Sequence, residues 1–398
     1  MSSINYRSDI DGLRAIAVLS VIIFHLNASY LPGGFLGVDI FFVISGYLIT
    51  KIIRNSLVEG NFSFKDFYNR RLKRIYPNFI FVIWCVFLVA TFLFRRSDFG
   101  LLKQEAEFSV IFLANIFFAK LRHGYFDPIT EENSLIHIWS LAVEEQFYFI
   151  FPFLFFCIYK WFSKKTKTLL LIFTAFILIS VLLSFIPRSF YTKFSNIYYL
   201  PQLRFFELLI GSALSLIVSE IKTGNKQSFL ADLISGICLC GLFLCFYWYR
   251  EDMKYVPGMA LLLPCFMTAG LIYFAPFSIW IKKLLSFSVL VKIGLLSYSL
   301  YLWHWPIITF FKYVIGTQDP FTPIQLLVIS VLTVLLSIFS YIFIEQKCRY
   351  TKFSFKKTLL LFYFLPSVLL LGYTYTLNKL KAQFEIPPPH PYGFVGEK

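Results

Sequence analysis

Residues 13–30 read LRAIAVLSVIIFHLNASY, a length close to the roughly 20 apolar residues that an α-helix needs to cross a membrane core of about 30 Å. Similar stretches recur along the chain and leave no space for a soluble domain of ordinary size. They predict an all-α, polytopic integral membrane protein with about eleven transmembrane helices. The predicted spans are 13–30, 36–53, 75–94, 138–161, 168–186, 204–220, 229–249, 257–275, 293–315, 323–345 and 358–378.

The composition agrees with this fold class. Of the 398 residues, 58% are hydrophobic and 15% are charged, whereas roughly a quarter of the residues of a soluble domain are charged. The chain has 37 Lys and Arg against 22 Asp and Glu. This excess falls in short segments between spans, so it indicates membrane topology and an anionic ligand rather than nucleic acid. The seven cysteines lack metal-ligand spacing, and no metal site is predicted.

Basic segments alternate along the chain with segments that are poor in Lys and Arg. The alternation holds only if the apolar piece 106–120 does not cross, so we predict a short re-entrant or interfacial helix there. The positive-inside rule then places the N-terminus in the cytoplasm and the tail after Thr376 outside. We predict a ten-helix domain over 1–346. Residues 347–398 follow as a basic cytoplasmic loop, an eleventh helix and a short Pro-rich outer tail.

Charged residues inside the predicted spans are candidates for function, because an unpaired charge at membrane depth costs several kcal/mol. Arg14 and His25 lie eleven residues apart in the first span, which places them on nearly the same helix face with about 16 Å of rise between them. A cation near the cytoplasm and a titratable imidazole deeper on the same face suit a long anionic donor, and histidine exchanges protons near neutral pH.

Two acids are candidate partners of this histidine. Asp39 begins the second span and either orients the imidazole or is a helix N-terminal acid favoured by the dipole. Four residues at spacings of three and four line one face at the start of span 138–161: His137, Ser140, Glu144 and Tyr148. We take Glu144, rather than the adjacent Glu145, as the inward carboxylate.

Three further groups have two interpretations each. Arg71 and Arg74 lie in a basic loop that either binds the phosphates of a nucleotide-containing donor or serves topology alone. Arg204 and Glu207, at i and i+3, are more typical of a structural ion pair. His304, beside Pro306, either lines a pocket or belongs to aromatic packing.

These residues fall within motifs that resemble the membrane-bound acyltransferase family 3, which includes bacterial O-antigen and other polysaccharide O-acetyltransferases. The most specific element is the pair Arg14 and His25. The other elements are YRSDIDGLR at 6–14, GVDIFFVISGY at 37–47, the basic residues Arg71 and Arg74, WSL at 139–141 leading to Glu144, and YLWHWP at 301–306.

The resemblance implies transfer of an acetyl group from cytoplasmic acetyl-CoA, a substrate and not a resident cofactor, to a hydroxyl of a glycan outside the cytoplasm, such as lipopolysaccharide O-antigen. By the same resemblance, His25 is the catalytic base or acyl carrier, and Arg14, Arg71 and Arg74 contact the donor. From the residues themselves we expect Glu144 or Asp39 to support His25. The expected partners are acetyl-CoA, a lipid-linked or surface glycan and membrane lipids. Longer relatives carry an outer SGNH-hydrolase-like domain, so a separate outer partner of that type stays open.

A transporter is the main alternative from another class of protein. The same buried His, Glu and Arg residues would then couple protons to the movement of a lipid-linked sugar. That function predicts substrate-dependent proton flux and no covalent product, whereas an acyltransferase predicts an acylated glycan.

Overall fold

The computed structural model describes residues 6–121, 133–162, 165–186, 190, 194, 196–220, 228–250, 253, 256–316 and 320–381. Within these ranges the regular elements are helical, and no β-strand occurs. The α-helices are α1 Ser8–Leu26, α2 Gly37–Val58, α3 Phe64–Leu93, α4 Arg96–Val110, α5 Ala114–Lys120, α6 Ile138–Trp161, α7 Thr166–Leu183, α8 Phe205–Glu220, α9 Phe229–Trp248, α10 Leu262–Phe274, α11 Trp280–Leu285, α12 Ser288–Ile315, α13 Pro323–Ser340, α14 Lys347–Arg349, α15 Phe355–Thr358 and α16 Leu365–Lys381. Two π-helical turns, Tyr341–Gln346 and Leu359–Phe364, join α13 to α14 and α15 to α16.

Each of the eleven predicted spans coincides with a helix. Within the described ranges, eight helices are long and apolar enough to cross a membrane, and a shorter apolar helix covers Phe205–Val218. The eight are Gly34–Val58, Phe64–Leu93, Ile138–Trp161, Thr166–Leu183, Phe229–Trp248, Met259–Phe277, Pro323–Arg349 and Phe355–Lys381. The prediction of an all-α, polytopic membrane protein is therefore confirmed.

The segment predicted as one short helix over 106–120 is two helices, α4 and α5. They are separated at Phe112, whose backbone has a φ of 55°, a left-handed conformation that ends a helix. Neither α4, with 15 residues, nor α5, with 7, reaches the length of a span. The Pro-rich tail after 381 lies outside the described residues.

The basic segment at 70–74 is part of α3 and not a loop, so that detail of the prediction is wrong. The helix begins at Phe64, where the Ser63 hydroxyl accepts the Asp66 backbone N–H at 3.2 Å. This cap, together with the high helix propensity of Leu, Lys and Arg, extends the helix beyond its apolar part.

The described contacts divide the chain into two units. The first comprises Met1–Phe62 and Val143–Ser297, and the second comprises Ser63–Ala142 and Tyr298–Lys398. These two units differ from the predicted domains, which divide at residue 346. The boundary at residue 346 stays a prediction.

In the first unit, α2 and α8 pack with their backbones in contact. A Cβ atom on Gly46 would overlap the Leu208 carbonyl, and one on Gly211 would overlap the Val43 carbonyl. Small residues that let helix backbones approach are the usual basis of helix association in membranes, where the hydrophobic effect between helices is absent. The two glycines therefore fix α2 beside α8.

In the second unit, buried polar groups connect α3 to the C-terminal helices. The Asn78 amide donates to Ser299 Oγ at 2.9 Å, and Ser299 Oγ donates to Glu345 at 3.0 Å. Lys73 donates to the carbonyls of Thr351 at 2.9 Å and Phe353 at 2.7 Å. Each of these donors has a partner, whereas the Asn78 Oδ1 accepts no hydrogen bond from the described residues. The buried donors therefore tie α3 to the C-terminal part of the chain.

Candidate active site

The predicted donor-facing pair lies on one continuous helix. Arg14 and His25 both belong to α1 and are partly accessible. The Arg14 Nη1 is 3.3 Å from the Asp11 carboxylate, and the His25 ring lies 5.4 Å from the Phe24 ring. Both residues thus lie on one continuous helix, as the spacing predicts, and both side chains are partly accessible.

A glycine turn connects this helix to α2. The chain passes through a short 3-10 turn, Gly34–Leu36, and the Gly33 N–H donates to the Phe246 carbonyl at 2.8 Å. A Cβ on Gly34 would overlap the Ser20 carbonyl, and a Cβ on Gly37 would overlap the Ala17 carbonyl. Because no other residue fits these contacts, glycine brings the start of α2 against the half of α1 that carries His25.

Glu144 is the carboxylate that faces α2. Its Oε1 accepts the hydroxyl hydrogens of Ser45 on α2 and Tyr148 on α6, and the side chain is only partly buried. Two hydroxyl donors stabilise a carboxylate in a low-dielectric region without neutralising its charge. Glu144 therefore connects α6 to α2 through hydroxyl donors and keeps part of its side chain accessible.

The partner of Asp39 is Arg204 and not His25, the partner considered from the sequence. The Arg204 Nη2 is 3.1 Å from Asp39 Oδ1, and the Arg204 Nε is 3.1 Å from Glu207 Oε1. All three side chains are completely inaccessible to solvent. The predicted ion pair of Arg204 with Glu207 is confirmed, and Asp39 completes a buried charge cluster instead of pairing with the imidazole. A catalytic role for Asp39 stays a prediction.

Cys265 lies beside this charge cluster. Ligand atoms of Asp39, Glu207 and Cys265 lie within 4.8 Å of one another, a spacing that a metal ion could bridge. The guanidinium of Arg204 already supplies a cation to both carboxylates, and its Cζ lies 5.0 Å from the centre of the Tyr198 ring. The arrangement is therefore best described as an ion cluster that ties α2 to α8.

The two predicted phosphate-binding arginines belong to the second unit. Arg71 and Arg74 are partly accessible and, at i and i+3 on α3, share one helix face. The neighbouring Lys73 is buried and bound to two backbone carbonyls. Arg71 and Arg74 are therefore partly accessible, with the Arg71 guanidinium 6.0 Å from the centre of the Phe67 ring, whereas Lys73 is bound within the protein.

His304 packs inside the second unit. It is buried, its Nδ1 is 2.6 Å from the Tyr301 carbonyl oxygen, and its ring lies 5.7 Å from the His137 ring. Tyr301 also donates its hydroxyl to the His137 carbonyl at 2.6 Å. Of the two interpretations of His304, the structure supports aromatic packing.

Residues 7–342 match the sequence profile of an acyltransferase domain, and the match includes each predicted site residue. The chain belongs to this acyltransferase family. No solved structure is significantly similar to it.

Relatives within the family are similar over much of the chain. An "uncharacterized protein" of Haemophilus influenzae is 40% identical over 241 residues, which are 59% of this chain and 96% of the relative. A Bacillus subtilis protein named "putative peptidoglycan O-acetyltransferase" is 34% identical over 86% of this chain. An O-acetyltransferase of Staphylococcus aureus is 36% identical over 92% of this chain. The chain spans 55% and 60% of the lengths of the latter two relatives.

Two features of the candidate site were not predicted from the sequence. Ser45 lies in a quoted motif, but nothing along the chain indicates that it reaches Glu144, 99 residues away. Asp39 and Arg204 are 165 residues apart. The only available signal was the presence of two acids and one arginine within predicted spans, which indicates pairing without identifying the pairs.

Proposed function

We propose that this protein transfers an acetyl group from cytoplasmic acetyl-CoA to a hydroxyl of a carbohydrate on the outer side of a bacterial inner membrane. Family membership and the named O-acetyltransferase relatives are the observation that carries the proposal. The acceptor is an envelope glycan. Peptidoglycan, after the name of the Bacillus subtilis relative, and lipopolysaccharide O-antigen are the two acceptors to compare.

His25 is the proposed centre of the chemistry. It either removes the proton from the sugar hydroxyl as that oxygen attacks the thioester carbonyl, or takes the acetyl group on its ring and passes it to the hydroxyl. In both routes coenzyme A leaves as the thiol after gaining a proton. Glu144, which keeps an accessible carboxylate, stabilises the positive imidazole that forms. Asp39 acts through Arg204 on the position of α2.

Arg14, Arg71 and Arg74 are the proposed donor contacts. Coenzyme A carries several phosphate groups, and guanidinium groups bind phosphate through paired hydrogen bonds. Arg71 and Arg74 share a helix face, which supports their binding one anion together. The N-terminus and these basic groups are assigned to the cytoplasm, and the C-terminal tail to the outer side.

Labelled acetyl-CoA tests this proposal with purified protein and crude glycan extracts. We expect label in the glycan with wild type and none with His25→Ala, while both proteins elute as the same folded species in detergent. Phe24→Leu is the matched control on α1, since it changes the neighbouring ring without removing an ionisable group. Full activity of His25→Ala would contradict both chemical routes. Substrate-dependent proton flux without an acetylated product would instead favour the transporter.

A further inference from the structure

A group of exposed basic residues in the second unit lies where two apolar helical stretches are joined. Residues 347–357 read KCRYTKFSFKK and contain five Lys and Arg but no Asp or Glu. They join Pro323–Arg349 to Phe355–Lys381, two stretches that are each long and apolar enough to span a membrane. The five basic side chains are all exposed. We call them the basic junction, and its members are Lys347, Arg349, Lys352, Lys356 and Lys357.

The positive charge of the basic junction has no neighbouring carboxylate to neutralise it. Among the described residues, none of the five side chains forms a salt bridge. The nearest acid along the chain, Glu345, is buried and accepts the Ser299 hydroxyl at 3.0 Å. Five exposed cations without counter-charges create a positive potential that attracts anions to this end of the helices.

The segment Tyr350–Ser354, which connects the two helical stretches, is fastened to α3. Lys73, only 7% exposed, donates to the Thr351 and Phe353 carbonyls at 2.9 and 2.7 Å, and Asn69 donates to the Phe353 carbonyl at 3.2 Å. The short helices α14 and α15 also pack on α3. Membrane topology depends on the number of Lys and Arg and not on their arrangement. The fixed backbone therefore does more than orient the chain, because it holds the basic side chains in place before a ligand binds.

Exposed apolar side chains lie about one helical turn from the basic residues. Phe343 is 48% exposed and precedes Lys347 by four residues, and the Lys347 Nζ is 5.0 Å from the centre of its ring. Leu360 is 57% exposed and follows Lys356 by four residues. In a spanning helix such apolar side chains face lipid hydrocarbon, and cations beside them lie at its boundary. Tyr350, 71% exposed, is an aromatic residue typical of this boundary.

We propose that the basic junction binds the headgroup of an anionic phospholipid, whose acyl chains lie along Phe343 and Leu360. A lipid supplies both a phosphate for the lysines and hydrocarbon for the adjacent apolar side chains. A soluble anion such as coenzyme A would contact only the charges, so the exposed apolar neighbours favour the lipid. The inference goes beyond the proposed acetyl transfer and does not depend on it.

Native mass spectrometry of the full chain in detergent tests this assignment, with phosphatidylglycerol as the anionic lipid and phosphatidylcholine as the neutral one. We expect wild type to bind phosphatidylglycerol about tenfold more tightly than phosphatidylcholine. The double variant Lys347→Gln with Lys356→Gln should lose about tenfold in affinity for phosphatidylglycerol and bind phosphatidylcholine as wild type does. Lys379→Gln, at an exposed lysine near the other end of Phe355–Lys381, is the matched control. It should bind both lipids as wild type does.

Equal affinities of wild type for the two lipids would overturn the assignment. Equal losses in the double variant and in Lys379→Gln would also overturn it, because they would show attraction to net charge and not to the basic junction. Coenzyme A distinguishes the two sources of phosphate. We expect phosphatidylglycerol to stay bound when coenzyme A is added in excess, whereas its displacement would assign the basic junction to a soluble nucleotide.

Discussion

Two regions of α2 place a carboxylate in opposite environments, one sealed from solvent and one partly accessible. Asp39, near the start of the helix, is sealed with Glu207 around the Arg204 guanidinium, and no side chain of this cluster is accessible. Further along α2, Ser45 donates to a Glu144 carboxylate that is partly accessible and has hydroxyl donors from Ser45 and Tyr148. The first arrangement stabilises a helix pair, because a buried charge is tolerated only when compensated. The second leaves the Glu144 carboxylate partly accessible, as its proposed role requires.

The largest expected effect is on the sealed cluster. Arg204→Met leaves two buried acids without a cation, so the free energy of unfolding should fall by about 3–5 kcal/mol. The thermal unfolding midpoint of the detergent-solubilised protein measures this. Arg250→Met, at an exposed arginine, is the control and should change the midpoint little. Equal midpoints for Arg204→Met and wild type would show that the cluster does not hold α2.

The next effect is on the accessible carboxylate and concerns rate rather than stability. Glu144→Gln keeps an acceptor for Ser45 and Tyr148 but removes the negative charge, so kcat should fall by about a hundredfold with little change in the unfolding midpoint. Glu145→Gln, one residue along α6, should keep a kcat close to that of wild type. If the two variants lose activity equally, the assignment of Glu144 as the functional acid fails.

A third carboxylate, that of Glu105 in the second unit, is buried without a cation beside it among the described residues. Glu105 is buried and accepts the Leu135 N–H at 3.1 Å, and burial raises the pKa of its carboxyl to about 8. The ordinary pKa of a glutamate carboxyl is 4.5. Between pH 4.5 and pH 8 the unfolded chain therefore releases a proton that the folded protein retains. Stability from this group is therefore complete below pH 4.5 and is lost as the pH rises to 8.

Glu105→Gln removes this titration while its amide oxygen still accepts the Leu135 N–H. The unfolding midpoint should therefore fall less between pH 5 and pH 9 in the variant than in wild type, by a few degrees. Glu107→Gln, on a more exposed acid of the same helix paired with Lys103, is the control. Parallel pH profiles for Glu105→Gln and wild type would contradict the prediction.

The smallest effect tests the hydroxyl donors. Ser45→Ala removes one of the two donors to Glu144, which should cost about 1 kcal/mol, or roughly a fivefold lower transfer rate. Tyr148→Phe should have a similar effect. The double variant should depart from the sum of the single ones, since both donors share one oxygen. Exact additivity of the measured rates would mean that the two hydroxyls do not act on the same group.

The helices were predictable because each span carries its own signal. In water-free hydrocarbon every backbone N–H and C=O must bond within its own segment, so about 20 apolar residues are enough to indicate a helix. Where polar residues extend a helix, as at 64–74 in α3, hydropathy does not indicate where the helix begins. The cap at Ser63 fixes the start of α3. The break at Phe112 also lacked a signal, because a positive φ at a bulky residue is imposed by its surroundings.

The sequence by itself determined the all-α membrane class, the approximate spans, the spacing of Arg14 and His25 on one helix face and the short-range pair of Arg204 with Glu207. These depend on local composition and helical periodicity. Only the tertiary structure decided that Asp39 joins Arg204, that Ser45 reaches Glu144, and that α6, α7 and α8 line an apolar cavity. Such contacts depend on which helix faces meet, and this is fixed by packing between residues far apart in the chain, for example the glycines that bring α2 against α8.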